Sequence, residues 1–236
     1  MGSLHPIAAP ASLRRSQLHR SHLANKAKFH RQNDAIVVTS YPANTDEIKQ
    51  AHELGIADLS MLARVGFKGK GTAGWLASQG GCLPQQPNQA QIQPDRSLIV
   101  RISLDEYLII SDVAHTSELV NQLENSWSLD TAKRVYWLPR RDSHCCFVLT
   151  GRQAETVLSK TCALDMRESS FTNHSVAQTS VARINTIVIR HDGNGLSCFY
   201  ILSDTSSAEF LWHALLDAMQ EFDGKAIGVR AVQHSC

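Results

Sequence analysis

VGFKGKGTAGWL, residues 65–76, and FVLTGRQAETVL, residues 147–158, hold the same place in two halves of one chain. Aligned, they set Gly69 opposite Gly151, each after an apolar run and before a segment with helical spacing. The first copy contains a literal G-x-G-x-x-G at Gly69, Gly71 and Gly74. Between a strand and a helix that pattern is the fingerprint of a dinucleotide site. The second copy keeps one glycine of the three. A phosphate cradle needs all of them, whereas a tight strand-to-helix turn needs only one. A dinucleotide site also calls for an acid about 20 residues on, to hold the ribose, and residues 80–94 contain no Asp or Glu. No G-K-[ST] closes the loop as a Walker motif would. The glycines are read as a turn.

Working outward, AIVVT (35–39) is a predicted strand and 48–54 a short helix. After the glycine turn come a helix ending near Gly80-Gly81, a Pro/Gln/Asn loop over 83–94, and strands SLIVRIS (97–103) and EYLIISD (106–112). The amphipathic SELVNQLENSW (117–127) follows. The second half repeats that order: HCCFVLTG (144–151), then RQAETVLSKTC (152–162), with Ala154, Val157 and Leu158 at helical spacing. A loop leads to TSVARINTIVIR (179–190), an Asp-Gly-Asn-Gly turn and CFYILSD (198–204), whose YILSD matches YLIISD. In SAEFLWHALLDAMQEF (207–222), Phe210, Leu211, Ala214, Leu215, Ala218 and Met219 fall on one face. The predicted class is α+β: two pseudo-repeated βαββα-type halves of ferredoxin-like plan. The repeats fall at about 60–130 and 144–224 within a domain spanning 35–236.

A chain of 236 residues with 43% apolar and 19% charged residues can bury a substantial core. A net charge of +1 argues against a nucleic-acid binder held by a global basic field, and no apolar run reaches the length of a membrane span. The six cysteines contain no C-x-x-C and read as reduced core thiols, consistent with a cytoplasmic location. Residues 1–34 differ. Arg14, Arg15, Arg20, Lys26, Lys28 and Arg31 precede the first acid, Asp34. A disordered tail, a transit peptide and a docking arm are the three readings. The docking arm is preferred, because Pro6 and Pro10 interrupt an amphipathic helix and the stretch has too little apolar surface to fold by itself. Deleting residues 2–31 is then expected to leave the isolated chain's stability unchanged and to abolish assembly with a partner. Without interleaved aromatics the arm gives base stacking no support.

Several stretches resemble the folate-binding fold of the glycine-cleavage T-protein, and within it the gamma subunits of heterotetrameric sarcosine oxidases. They are LGIADLSMLARVGFKGKGTAGWLASQG, LDEYLIISD, LPRRDSHCCFVLTGRQAETVLSKTCALDMR, VAQTSVARINTIVIR and EFLWHALLDAMQEF. The resemblance implies a non-catalytic subunit without an active site of its own, in a complex that oxidatively demethylates a secondary amine and passes the carbon to tetrahydrofolate. It further implies larger partner subunits carrying FAD, FMN, NAD and tetrahydrofolate, and no cofactor or metal in this chain. Enzymatic members use an acid in a Gly-Gly-Val-x-Asp-Asp-Leu segment and hold the pterin through an Arg-Thr-Gly-Tyr-Thr-Gly-Glu segment. The first falls here on QIQPDRSL, where Arg96-Ser97 replace the acids and Asp95 is out of register. The second falls on ARINTIVIRHDG, which keeps only Arg183. An alternative reading is a stand-alone folate-dependent aminomethyl transferase or folate-binding protein.

The remaining candidates are surface groups. Arg140 and Arg141, with Arg14, Arg15 and Arg20, are read as partner contacts, since arginine is enriched at interfaces. In the same LPRRDSHCC segment, Asp142-Ser143-His144 reads poorly as a triad because catalytic members come from distant positions. Arg64, Lys68 and Lys70 could gather an anion or be solvated beside the turn.

Overall fold

In the computed structural model, which describes residues 13–114 and 118–235, two sheets stack face to face with helices on their outer faces. The chain opens with β1 (Arg14–Arg15), α1 (His19–Ala24), β2 (Lys28–Gln32) and β3 (Ala35–Ser40), forming a small sheet in the order β1-β3-β2. Helix α2 (Glu47–Leu54) starts at Asp46, whose side chain accepts from the Lys49 amide at 2.9 Å, and runs into β4 (Gly55–Asp58). The first half is β5 (Arg64–Lys68), α3 (Thr72–Ser78), the meander β6 (Gln89–Ile92), β7 (Leu98–Arg101) and β8 (Glu106–Ile110), then α4 (Leu119–Ser126). A connector supplies β9 (Tyr136–Leu138) and the single turn α5 (Arg140–Ser143). The second half is β10 (His144–Thr150), α6 (Ala154–Thr161), the meander β11 (Val176–Val181), β12 (Ile184–Arg190) and β13 (Cys198–Asp204), then α7 (Ala208–Met219). Strand β14 (Lys225–Ala226) and helix α8 (Val229–Ser235) complete the described fold.

The sheet orders make the internal repetition explicit. One sheet runs β6-β7-β8-β5-β9 and the other β11-β12-β13-β10-β4-β14. In each half the meander leads back to the strand before the glycine turn, and all these pairs are antiparallel. The α+β class stands, but each half has one more strand than the predicted βαββα unit. The expected loop over 83–94 contains β6, and TSVARINTIVIR holds a hairpin rather than one strand. Each was hidden for its own reason. The edge strand QAQI has a single large apolar residue, Ile92, and a two-residue turn at Ala182-Arg183 lacks the Gly or Asn that usually marks it.

Strand β10 shows why its sequence is apolar without a break from Cys145 to Leu149. Cys146 and Val148 face the core between the two sheets, while Cys145, Phe147 and Leu149 face the core under α6 and α7. A strand buried on both faces has no reason to alternate. On β8 the same division sends Leu108 and Ile110 inward and Tyr107 and Ile109 toward α3 and α4.

The glycine turn is structural at the atomic level. Gly69 and Gly151 both take positive φ, +126° and +107°, where an L side chain is strained. A Cβ on Gly69 would lie 2.2 Å from the Arg134 carbonyl oxygen, and one on Gly71 2.2 Å from that of Lys133. Gly74, by contrast, is inside α3 with open space around it. The third glycine of the motif is the dispensable one.

Residues 13–34 do not form a free arm. Leu18 and His22 are buried, and His22 Nε2 hydrogen-bonds the Asp58 carboxylate at 2.9 Å. Its Nδ1 meets the Tyr41 hydroxyl at 2.8 Å, and its ring stands edge-on to Trp212 at 5.4 Å. Burial works against the Asp58 carboxylate, but hydrogen bonds from His22, Ser16 and Ser60 outweigh it and hold its pKa below the ordinary aspartate value. This corrects the expectation that everything before residue 35 depends on another protein for its order. Composition could not reveal two residues, Leu18 and His22, that reach a core built by the rest of the chain. Residues 1–12 of the predicted arm lie outside the described residues.

Two substitution sets test these assignments by thermal denaturation. Gly69→Val should lower stability by more than about 2 kcal/mol, whereas Gly74→Ala should raise it by about 0.5–1 kcal/mol. Equal losses at both positions would contradict the turn assignment. His22→Ala should cost about 3 kcal/mol, since it opens a cavity and strips a hydrogen bond from a buried carboxylate. An unchanged melting temperature would mean the N-terminal segment is not part of the core.

Candidate functional site

The two stretches that fall at the family's acid-bearing and pterin-holding segments, QIQPDRSL and ARINTIVIRHDG, each contribute residues to one cleft between the halves. Ile92, Arg96 and Leu98 from the β6–β7 turn meet Asp112, His191 and Tyr200 around a cavity of about 130 Å³. The Arg96 guanidinium donates to Asp112 Oδ2 at 3.1 Å. Asp95, the carboxylate nearest in sequence to the expected acid position, serves elsewhere. Its Oδ1 accepts from the Ser97 hydroxyl at 2.6 Å and amide at 3.1 Å, and its Oδ2 accepts from the amides of Glu118 and Leu119 at 3.1 and 3.0 Å. It therefore caps the start of α4. Burial alone would raise its pKa; these hydrogen bonds more than offset that and lower it.

Arg183 is not in the cleft. The register Val181↔Ile184 leaves only Ala182 and Arg183 in the β11–β12 turn, with φ of +49° and +67°. That is the two-residue hairpin geometry with both central residues left-handed, and it puts Arg183 at an exposed tip. The other end of β12 supplies His191, whose ring stacks on His174 at 5.4 Å and tilts against Tyr200 at 6.0 Å. Burial, reinforced by the neighbouring His174, pulls the His191 pKa down to about 4, and among the described residues its buried Nδ1 has no hydrogen-bond partner. Burial raises the Tyr200 pKa, with Cys146 and Asp112 adding to the effect. In the sequence His191 merely precedes the Asp-Gly-Asn-Gly turn, and no motif singles out Asp112 or Tyr200. The match of YLIISD to YILSD was the available signal, since it pairs buried Asp112 with Asp204, which accepts from the Ser206 amide at 2.8 Å.

The expected partner-binding arginines are partly engaged within the chain. Arg14 donates to Asp142 at 2.6 Å, Arg141 to Glu124 at 3.1 Å, and Arg140 to Glu106. Arg14 and Arg141 also flank Asp34, each at 3.9 Å. The structure brings these three arginines together around β1 and α5, while Arg15 and Arg20 are exposed. Ser143 and His144 do hydrogen-bond, at 2.8 Å, although adjacent in sequence. They form no triad, because Asp142 is turned to Arg14 and His144 Nε2 faces Arg140 at 3.2 Å. The thiols beside them are inert: burial pushes Cys146 up to about 12 and raises Cys145 as well. Cys162 is also free and buried and Cys82 free and exposed, while Cys198 is disulfide-bonded, a departure from the reduced thiol expected there.

The anion cluster weighed for Arg64, Lys68 and Lys70 is also corrected. Arg64 is fully buried and donates to the carbonyls of Ser60, Leu62, Arg140 and Arg141 at 3.0–3.3 Å and to that of His144. Lys68 pairs with Glu106 at 2.9 Å. Among the described residues, no group of three His, Cys, Asp or Glu is placed to hold a metal ion, and no helix is long and apolar enough to cross a membrane.

Two stacked sheets with outer helices, meeting at a cleft between repeated halves, define the aminomethyltransferase-like class. The chain belongs to the family described as the GCVT N-terminal domain, whose pattern matches residues 88–235. It is 27% identical over 176 residues to sarcosine oxidase subunit gamma of Corynebacterium sp. (strain P-1), covering 73% of this chain and 83% of that one. Its fold is similar to a chain of heterotetrameric sarcosine oxidase from Corynebacterium sp. U-96, solved with pyrrole 2-carboxylate. That match has a TM-score of 0.64 at 21% identity and covers 89% of this chain and 96% of that chain. The glycine cleavage system aminomethyltransferase T from Bartonella henselae matches with a TM-score of 0.67 at 16% identity, covering 93% of this chain but 61% of that one.

The cleft sets a pH dependence. His191 and His144 both have pKa values near 4, from burial and from His174 in one case and Arg140 and Arg64 in the other. A histidine whose folded pKa lies below its unfolded value near 6.5 takes up protons on unfolding. Stability should therefore fall as pH drops from about 6.5 toward 4.5. The lowered carboxylates Asp58 and Asp95 lose their contributions only at lower pH, below the unfolded aspartate value of 3.8. Melting temperatures across that range should decline in the native chain and flatten in His191→Asn/His144→Asn. A flat native profile would contradict the assignment.

Proposed function

We propose that this chain is a non-catalytic, gamma-type subunit of a sarcosine oxidase-like complex that oxidatively demethylates a secondary amine. In that reading FAD, FMN, NAD and tetrahydrofolate chemistry belongs to larger partner subunits, and the complex is cytoplasmic. The observation that carries the reading is the state of the central cleft. Where the family's pterin segments converge, Arg96 closes on Asp112, Asp95 caps α4, and about 130 Å³ is left. Small-molecule pockets span about 300–1,000 Å³, so the residues present do not fit a pterin. Neither is there a free carboxylate to take a proton from an amine, the step a general base must perform. The similarity to a gamma subunit over most of both chains supports the same assignment. The alternative, a stand-alone folate-dependent transferase, needs the cavity and the acid that this cleft lacks.

Two measurements test the proposal together. Titration of the isolated chain with 5-formyltetrahydrofolate should give no saturable binding at micromolar concentration. Co-expression with the flavoprotein subunits of the same organism should incorporate one copy of this chain per complex. A micromolar Kd in the titration would favour the stand-alone reading, and a complex that forms and turns over without this chain would sink the structural one.

A further inference from the structure

The open edge of the five-stranded sheet is the most conspicuous unpartnered surface. Strand β9 pairs with β5 on one side only, at Gly66↔Leu138, Phe67↔Trp137 and Lys68↔Tyr136. Among the described residues, none of its backbone groups bonds to anything on the outer side. At the opposite edge β6 is covered, since the Ala90 amide donates to the His174 carbonyl at 2.8 Å. Proteins that avoid association blunt such edges with charge or proline, and here those residues, Lys133, Arg134 and Pro139, stand only at the two ends of the strand. The strand itself carries Tyr136, 58% exposed, and Trp137, 40% exposed, and neither belongs to the core beneath the sheet. The flanks are basic: Lys133 and Arg134 are exposed immediately before the strand, and Lys70 is exposed in the turn after β5.

We propose that β9 receives an extended, acid-bearing segment of a larger partner subunit, which adds as a sixth strand to this sheet. The unpaired backbone asks for an extended chain rather than a helix. Tyr and Trp on an exposed edge are the residue types that anchor interfaces, and the basic flanks call for acidic residues on the incoming strand. A second copy of this chain fits poorly, because antiparallel pairing of β9 with itself would set the exposed Lys133 and Arg134 of each copy toward Arg140 and Arg141 of the other, basic against basic. The proposal rests on the gamma-type reading above and names the surface through which that subunit would join its complex.

The test is assembly of the full chain with the flavoprotein subunits of its own organism, comparing native protein, Trp137→Ala and Lys133→Glu/Arg134→Glu. Phe210→Ala, an exposed apolar residue on α7, is the control. The native chain and the control should assemble equally. Both β9 variants should weaken assembly by about tenfold or more with unchanged melting temperatures, and added salt should weaken the native complex. The charge reversal lies at exposed positions, so it remains informative if Trp137→Ala destabilises the sheet. Undiminished assembly of a folded β9 variant overturns the proposal while leaving the gamma-type reading intact. Self-association of the native chain that these substitutions abolish would place a second copy at the edge and overturn it as well. Failure of the native chain to assemble at all defeats both readings.

Discussion

The buried Arg64 guanidinium is the constraint on which the joint between the halves depends. It is the second residue after Leu62 and reaches back to the carbonyls of Ser60 and Leu62, at 3.1 Å each. It also reaches forward to Arg140 and Arg141 at 3.0 and 3.3 Å and to His144. One cation thus ties the start of β5, in one sheet, to the start of β10, in the other. Its charge is compensated by carbonyl dipoles rather than by a carboxylate in direct contact, and burial lowers its pKa. Arginine supports this arrangement because its planar fork offers five donors in fixed geometry. A lysine could satisfy at most three of these oxygens and would be driven toward neutrality by the same burial.

Arg190 performs the parallel task inside the second half. It pairs with Glu155 at 2.8 Å and Asp192 at 2.7 Å, and donates to the carbonyls of Met166 and Phe171 at 3.2 and 3.1 Å. These contacts hold the irregular segment after α6 against the end of β12, which places His191 at the cleft. Two buried arginines therefore fix the frame, and the cleft residues are consequences of it. Arg64 anchors α5, and the basic cluster of Arg14, Arg140 and Arg141 gathers around that turn.

What could be read in the sequence followed from periodicity and from internal repetition. Strands β7, β8, β10 and β13 and helices α2, α6 and α7 have apolar faces, so their patterns name them. The equivalence of Gly69 and Gly151 needed only alignment, and positive φ at both gives the physical reason for it. The misses are of another kind. QAQI forms β6 through register with LIVR, not through its own apolar content. His22, Arg64 and Arg190 are polar residues whose burial is set by distant partners, and charge read along a chain assigns them to the surface. Residues 13–34 were mistaken for an arm for that reason: composition weighs a segment alone, whereas Leu18 and His22 are stabilised by Asp58, Tyr41 and Trp212 far along the chain.

The cleft illustrates how packing and function trade places in a repeated fold. Leu98, Tyr200 and Leu202 belong to the core between the two sheets, and Leu98 and Tyr200 also line the cavity. A large cavity at that seam would remove contacts from the layer that joins the halves, at a stability cost that grows with its volume. Filling the seam therefore strengthens the joint. The Arg96–Asp112 pair acts in the same direction, since a buried carboxylate compensated by a guanidinium has no unmet need for a substrate cation. The central cleft thus works as a joint between the halves, while among the described residues the outer edge of β9 has backbone groups with unmet hydrogen-bonding capacity.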